Sequence, residues 1–162
     1  MRFNDALLGT VAVTSRSIGP ACAATAIALW LLGQLGGIEA DVALWPVPIV
    51  FGIVGIVHEL GHVVAVHALD GAVEGVHGDR FRVAVDHRSI GPWPDLLVVV
   101  AGPSFACAAG LIAAVLALVG MIPIHLGIAA LFIGLGHLAA MIVPVGDGLE
   151  LRERMAVIAK RR

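Results

Sequence analysis

Long apolar stretches almost without charged residues dominate the chain. Residues 17–38 contain no Asp, Glu, Lys or Arg, residues 42–69 contain only Glu59, and residues 96–146 contain none. A helix needs about 20 apolar residues to cross the core of a bilayer, so the last stretch is long enough for two helices, with a break at Pro123. The pattern therefore predicts an all-α integral membrane protein with four transmembrane helices, at about 18–36, 45–69, 96–119 and 124–145.

The polar segment between the second and third predicted helices, residues 70–95, has a different periodicity. Phe81, Val83 and Val85 alternate with polar or small residues, and this alternation is typical of a β-strand. Gly78-Asp79 separates this run from a second one that precedes it. We therefore predict a short β-hairpin between the two helices.

The composition agrees with a membrane protein, argues against a water-soluble monomer and excludes a strongly basic nucleic-acid binder. Of the 162 residues, 59% are apolar and 14% are charged, with a mean hydropathy of +0.99, whereas soluble domains average about 45–50% and 25%. A net charge of −2 excludes a strongly basic nucleic-acid binder, so we expect a lipid bilayer and no nucleic acid as partner. The length predicts a single domain over residues 1–162. Cys22 and Cys107 lie inside apolar runs and are expected to be small core residues.

The positions of the cations predict the orientation in the membrane. All ten Lys and Arg residues lie before the first predicted helix, in the hairpin segment, or in the tail at 149–162. The positive-inside rule then places both termini and the hairpin in the cytosol, and Glu39 and Asp41 outside. We expect the first helix to be a retained anchor rather than a signal peptide. A predominance of Arg over Lys, with much Ala, Gly and Val, favours a bacterial cytoplasmic membrane.

The second predicted helix contains His58-Glu-Leu-Gly-His62. Residues four apart differ by about 40° around a helix, so the two imidazoles share a face and can bind one zinc ion. Glu59 is adjacent and can accept a proton from water at the metal. The alternative is a set of buried polar groups that hold the helices together. Ionisable groups inside a membrane span are costly and usually functional, which favours the zinc site.

A zinc site of this kind needs a third protein ligand. Asp147 follows Pro144 and Gly146, which are expected to unwind the end of the fourth helix, and irregular backbone at membrane depth is tolerated inside protein or at a wet cavity. We expect this stretch to fold back to the depth of the two histidines and make Asp147 the third ligand. The alternative is a loop aspartate at the membrane surface.

Two other histidines receive different predictions. On a continuous helix His67 points about 180° away from His58, so we expect that it does not bind the metal. His137, in the middle of the fourth predicted helix, is either an outer partner of the site or part of an interhelical hydrogen bond. The tail at 149–162 is either a short amphipathic helix on the membrane surface or a solvated basic end.

Three segments together resemble the site-2 protease family of intramembrane zinc metalloproteases. His58 to His62 matches its HExxH helix, Ala101-Gly-Pro103 its Ala-Gly-Pro segment, and Pro144 to Gly148 its Pro and Asp-Gly motif. The resemblance spans roughly residues 45–148. It implies a zinc endopeptidase that hydrolyses a peptide bond in a membrane-spanning or membrane-associated protein or peptide. The implied zinc ligands are His58, His62 and Asp147, with Glu59 as the general base.

Other positions depart from the family pattern. Ala106, Cys107 and Met141 stand where the family often has asparagines that help to hold substrate. A catalytically inactive relative that acts as a helix-binding membrane scaffold is therefore the alternative, and a small metal-transport or metal-sensing protein is a third hypothesis. For an active enzyme we expect the edge of the hairpin to bind an extended substrate by β-addition. The residues expected to do so are Arg80, Phe81, Arg82 and Val83.

Overall fold

The structure is a computed structural model that describes residues 1–36, 44–79 and 83–160. Five helices and one two-stranded antiparallel sheet make up this part of the chain. In chain order the elements are α1 (Phe3–Gly36), α2 (Val47–Ala68), β1 (Val73–Gly78), β2 (Val83–His87), α3 (Pro92–Leu118), α4 (Ile124–Ala140) and α5 (Asp147–Ala159). The mostly helical fold with a hairpin between α2 and α3 is as predicted.

Three of the helices are long and apolar enough to cross a membrane, namely α1, α2 and α3. The fourth, α4, has 17 residues and ends at Ala140 rather than near 145, because Pro144 lies in the turn that follows. Its length of about 25 Å is shorter than a hydrocarbon core of about 30 Å. The structure thus supports three spans by length and composition.

The first helix begins at Phe3, 15 residues before the predicted start at about 18. The prediction relied on the absence of charge and therefore missed an extension of the helix that contains Asp5 and Arg16. Ala6, Thr10 and Thr14 are buried at intervals of four residues, which is the spacing of one helix face. With 34 residues, α1 is about 50 Å long.

A buried apolar cluster joins four elements at one end of the molecule. Ala6 of α1 packs with Val63 and Val66 of α2, with Val73 of β1 and with Val98 of α3. The amino group of the N-terminus donates a hydrogen bond to the carbonyl of Val73 at 2.8 Å. The N-terminus and the hairpin therefore lie at the same end of the helical bundle.

The helices α3 and α4 approach each other closely through small residues. A Cβ added to Gly110 would lie 2.6 Å from the carbonyl oxygen of Ala130, and one added to Gly134 would lie 2.5 Å from that of Ala106. Larger side chains would push the backbones apart. Ala106, Gly110 and Gly134 thus have the packing role that small residues have in membrane helices.

Candidate metal centre

Two buried histidines on α2 begin the candidate site. The helix runs without a break from Val47 to Ala68, so His58 and His62 lie one turn apart on the same face. They are only 6% and 8% exposed. Their Nε2 atoms are 3.3 Å apart. The predicted sharing of one helix face is confirmed.

The turn after α4 brings Asp147 back to these histidines. Gly146 has a φ of 56° and a ψ of −129°, a backbone conformation that favours glycine. A Cβ on Gly148 would overlap the backbone carbonyl of Val143. The glycine at position 148 therefore lets the start of the next helix pack tightly against the turn. As a result, Oδ2 of Asp147 lies 2.9 Å from Nε2 of His58 and Oδ1 lies 3.7 Å from Nε2 of His62. Asp147 is therefore at the depth of the histidines rather than at a distant surface.

The three side chains have the arrangement of a metal-binding triad. Their ligand atoms all lie within 4.8 Å of one another. In a tetrahedral site with bonds of about 2.1 Å, ligand atoms are separated by about 3.4 Å, and the two Nε2 atoms are 3.3 Å apart. Each nitrogen has a different oxygen of the Asp147 carboxylate nearby, Oδ2 at 2.9 Å from His58 and Oδ1 at 3.7 Å from His62. Two imidazole nitrogens and one carboxylate oxygen suit zinc and several other transition metals. The residues therefore fit a metal ion.

The third helix orients one of the imidazoles. Nδ1–H of His62 donates a hydrogen bond to the backbone carbonyl of Val98 at 2.8 Å. This bond leaves the lone pair on Nε2, which faces the other two candidate ligands. A Cβ on Gly102 would overlap the His62 ring, and one on Gly61 would lie 2.8 Å from the carbonyl of Ala101. Gly61 on α2 and Gly102 on α3 therefore let the two helices approach closely enough for α3 to hold this imidazole.

A cavity of about 810 Å³ opens beside the triad, and Glu59 lines it. Oε1 of Glu59 lies 4.0 Å from Nε2 of His58, and its side chain is 16% exposed. Strand β2 forms another part of the wall, from Val83 to His87. Glu59, the triad and β2 therefore line the same cavity.

The structure describes only one of the four hairpin residues that are expected to bind substrate. Val83 lies in β2 and lines the cavity. Arg80, Phe81 and Arg82 lie outside the described residues, as does the predicted external loop with Glu39 and Asp41.

The other two histidines occupy different surroundings. The ring centroid of His137 is 4.5 Å from that of His58, and His137 lines the cavity. Its Nε2 atom is buried and has no hydrogen-bond partner in the part of the chain that the structure describes. His67 Nδ1–H donates to the carbonyl of Val63 at 3.0 Å, and its ring packs against Phe3. His137 therefore lies next to the triad, whereas His67 lies apart from it as predicted.

One buried carboxylate near the site was not predicted from the sequence. Asp95, in the first turn of α3, is 1% exposed and accepts a hydrogen bond from Arg154 of α5 at 2.8 Å. Its position at the start of a long uncharged helix is the only signal in the sequence. The partner 59 residues later is not apparent from spacing.

Comparison with known proteins does not assign this chain to a family. Comparisons with protein-family models, with curated proteins and with solved structures gave no match.

Proposed function

We propose that this protein is a membrane-embedded zinc endopeptidase similar to the site-2 protease family. The observation that carries the proposal is the triad of His58, His62 and Asp147 next to Glu59, on the wall of a cavity. Two histidines and a carboxylate, with a second carboxylate that is not a ligand, are the parts of a zinc hydrolase site. The substrate class is a membrane-spanning or membrane-associated protein or peptide.

Zinc is the proposed metal because two histidines four residues apart on a helix, with a glutamate next to the first, form the arrangement that zinc hydrolases use. When bound, zinc supplies a Lewis acid that activates water and polarises a carbonyl group. His58 and His62 would hold it through Nε2, and Asp147 through its carboxylate. Three protein ligands leave a coordination position for water or substrate, as in catalytic zinc sites.

The proton transfers of peptide hydrolysis are assigned to Glu59. Its carboxylate accepts a proton from the attacking water as the new C–O bond forms. It then donates that proton to the leaving amine nitrogen as the C–N bond breaks. Its side chain lies on the cavity wall beside the triad, which is the position this role requires.

Strand β2 is the proposed docking edge for the substrate. Within the described residues, β2 pairs with β1 on one side only, and the cavity lies against β2. An extended chain can add to a free strand edge through main-chain hydrogen bonds. Because the peptide bonds of a helix are shielded, a substrate helix would have to unwind before it pairs with Val83 and the neighbouring residues 80–82.

The proposed membrane arrangement has four spans. The short helix α4 would cross with the turn that follows it, and Asp147 would then lie at membrane depth beside the cavity. The positive-inside rule places both termini and the hairpin in the cytosol. The expected location is the bacterial cytoplasmic membrane.

An inactive helix-binding scaffold is the second candidate. It is favoured by Ala106, Cys107 and Met141, which replace asparagines that the family often uses to hold substrate. A metal transporter or sensor is the third, and it needs the triad but not Glu59. These candidates differ in whether the protein cleaves a peptide bond and in whether Glu59 matters.

Metal analysis combined with a cleavage assay separates the candidates. We expect about one zinc per chain in purified wild-type protein, and cleavage of at least one of a panel of tagged single-span proteins whose spans contain Gly and Pro. In Glu59→Gln, zinc should remain while cleavage falls by about 10²–10⁴-fold, because the general base is lost.

The matched control is Asp70→Asn, which removes a carboxylate just beyond α2. Asn tolerates the positive φ of 57° at that position. This variant should behave like the wild type. Metal-free wild-type protein, or full turnover in Glu59→Gln, would contradict the proposal, and zinc without cleavage by the wild type would favour the scaffold or the transporter.

A further inference from the structure

The helix that carries Asp147 has little apolar anchoring. Of the described residues of α5, only Gly148 and Ile158 are buried. Asp147 is nevertheless the first residue of this helix, and its carboxylate must stay within a few tenths of an ångström of a productive position for metal binding. Some other contact therefore has to hold α5 against the bundle.

Arg154 makes that contact. Its Nη1 donates to Oδ2 of the buried Asp95 at 2.8 Å, and its Nη2 donates to Oε1 of Glu150 at 3.0 Å. Charge-assisted hydrogen bonds of this kind are stronger than neutral ones. Glu150, one turn earlier on α5, orients the guanidinium group toward α3.

Asp95 is itself held from a second direction. The hydroxyl of Ser89 donates to Oδ2 at 2.6 Å, and the backbone N–H of Ile90 donates to Oδ1 at 2.8 Å. Both residues belong to the segment that leads from β2 to α3. The carboxylate thus joins the end of the hairpin, the start of α3 and the side of α5.

The same part of α3 also holds a candidate metal ligand. Val98, whose carbonyl accepts the hydrogen bond from His62, lies three residues after Asp95. On α5, Asp147 and Arg154 are seven residues apart, which is two turns or about 10 Å along one face. A helix is stiff over that distance, so a displacement at Arg154 also displaces the carboxylate of Asp147.

We propose that Asp95 and Arg154 are positioning residues for the metal centre. Their ion pair sets the location of the α5 N-terminus relative to α3, and so the location of Asp147 relative to His58 and His62. This inference rests on the metal site of the proposed function. Neither residue is a ligand; both act through Asp147.

Metal affinity in three variants tests the inference. Arg154→Met keeps an unbranched apolar stem and removes the charged hydrogen bonds. We expect zinc affinity, measured by chelator competition, to fall about 10–100-fold, as when other groups that support a metal ligand are removed. Arg154→Lys keeps the charge and should give an intermediate affinity. Lys160→Met removes a cation from the end of the same helix and should match the wild type.

A cobalt spectrum distinguishes positioning from a general loss of stability. Co²⁺ loaded into Arg154→Met should show an altered visible absorption spectrum, because the carboxylate ligand moves, whereas a merely less stable protein would keep the wild-type bands. If Arg154→Met does not fold, the affinity and the cobalt spectrum of Arg154→Lys decide the question.

The outcomes separate this inference from the proposed function. A wild-type cobalt spectrum in Arg154→Met, or in Arg154→Lys if only that variant folds, would overturn the positioning role whether or not the zinc affinity falls, and would leave the metal site standing. A wild-type protein that binds neither Zn²⁺ nor Co²⁺ would overturn the proposed function and this inference with it.

Discussion

The two halves of the candidate metal centre are built in different ways. On α2, a continuous helix places His58 and His62 on one face through their spacing alone. Asp147 instead depends on a turn that ends α4 at Ala140 and on contacts between α5 and the start of α3. One half is local in sequence, and the other is assembled by tertiary structure.

This difference predicts how each half responds to change. The positions of the histidines follow from backbone hydrogen bonds within α2, which many residues share. The position of Asp147 follows from a few particular groups, above all Gly146 and the Asp95–Arg154 pair. We therefore expect the histidine pair to tolerate remote substitutions better than the aspartate does.

The largest expected effect comes from removing a ligand from each half. His62→Ala should abolish measurable zinc binding. The two remaining ligands, His58 and Asp147, lie on separate elements, so no two ligands would be held together on one helix. Asp147→Ala should weaken zinc affinity by more than the roughly 10–100-fold expected when a group that only supports a ligand is removed. The two histidines should still bind zinc weakly. Both variants should keep the helical circular dichroism of the wild type.

Metal titration of the two purified variants measures this asymmetry. Complete loss of zinc binding in both variants would show that the two histidines cannot bind the metal without Asp147. Full zinc occupancy in Asp147→Ala would show that the third ligand is a different residue.

A smaller effect is expected from the turn before Asp147. Gly146→Ala places a Cβ on a residue with a φ of 56° and a ψ of −129°, a conformation that costs about 1–3 kcal/mol for other residues. The turn should shift to relieve this strain, and zinc affinity should fall about tenfold or more while the histidine pair stays in place. The readouts are chelator competition and the thermal midpoint of unfolding.

Gly136→Ala is the matched control, since a Cβ at this α4 position meets nothing within 4 Å. It should leave zinc affinity unchanged and should not lower the midpoint, because alanine favours a helix more than glycine does. If Gly146→Ala behaves in the same way, the conformation of the turn does not determine the position of the carboxylate.

The same contrast explains what could be predicted from the sequence. The histidine pair and the hairpin were predictable because periodicity and spacing are local. The return of Asp147 was predictable in outline, because Pro144 and Gly146 indicate an unwound segment. The ends of the helices were not predictable, since α1 extends back to Phe3 through Asp5 and Arg16, and a search for uncharged stretches stops at such residues.

The contacts that hold the site together were beyond sequence reasoning. The Asp95–Arg154 pair joins residues 59 positions apart, and no periodicity connects them. The hydrogen bond from His62 ends on a backbone carbonyl, that of Val98, and every residue has such a group. The position of His137 against His58 likewise required the packing of α4 on α2.

The smallest expected effect concerns His67, which follows the His58–His62 pair closely enough in sequence to suggest a three-histidine site. In the structure it lies on the far side of α2, with its ring against Phe3 and its Nδ1–H on the carbonyl of Val63. His67→Ala should therefore leave zinc content and cleavage at wild-type levels and cost about 0.5–1.5 kcal/mol of stability at most, the value of one hydrogen bond. Zinc analysis beside His62→Ala checks this: metal loss of similar size in both variants would mean that α2 breaks after His62, and that the local half of the site is not the regular helix on which the comparison depends.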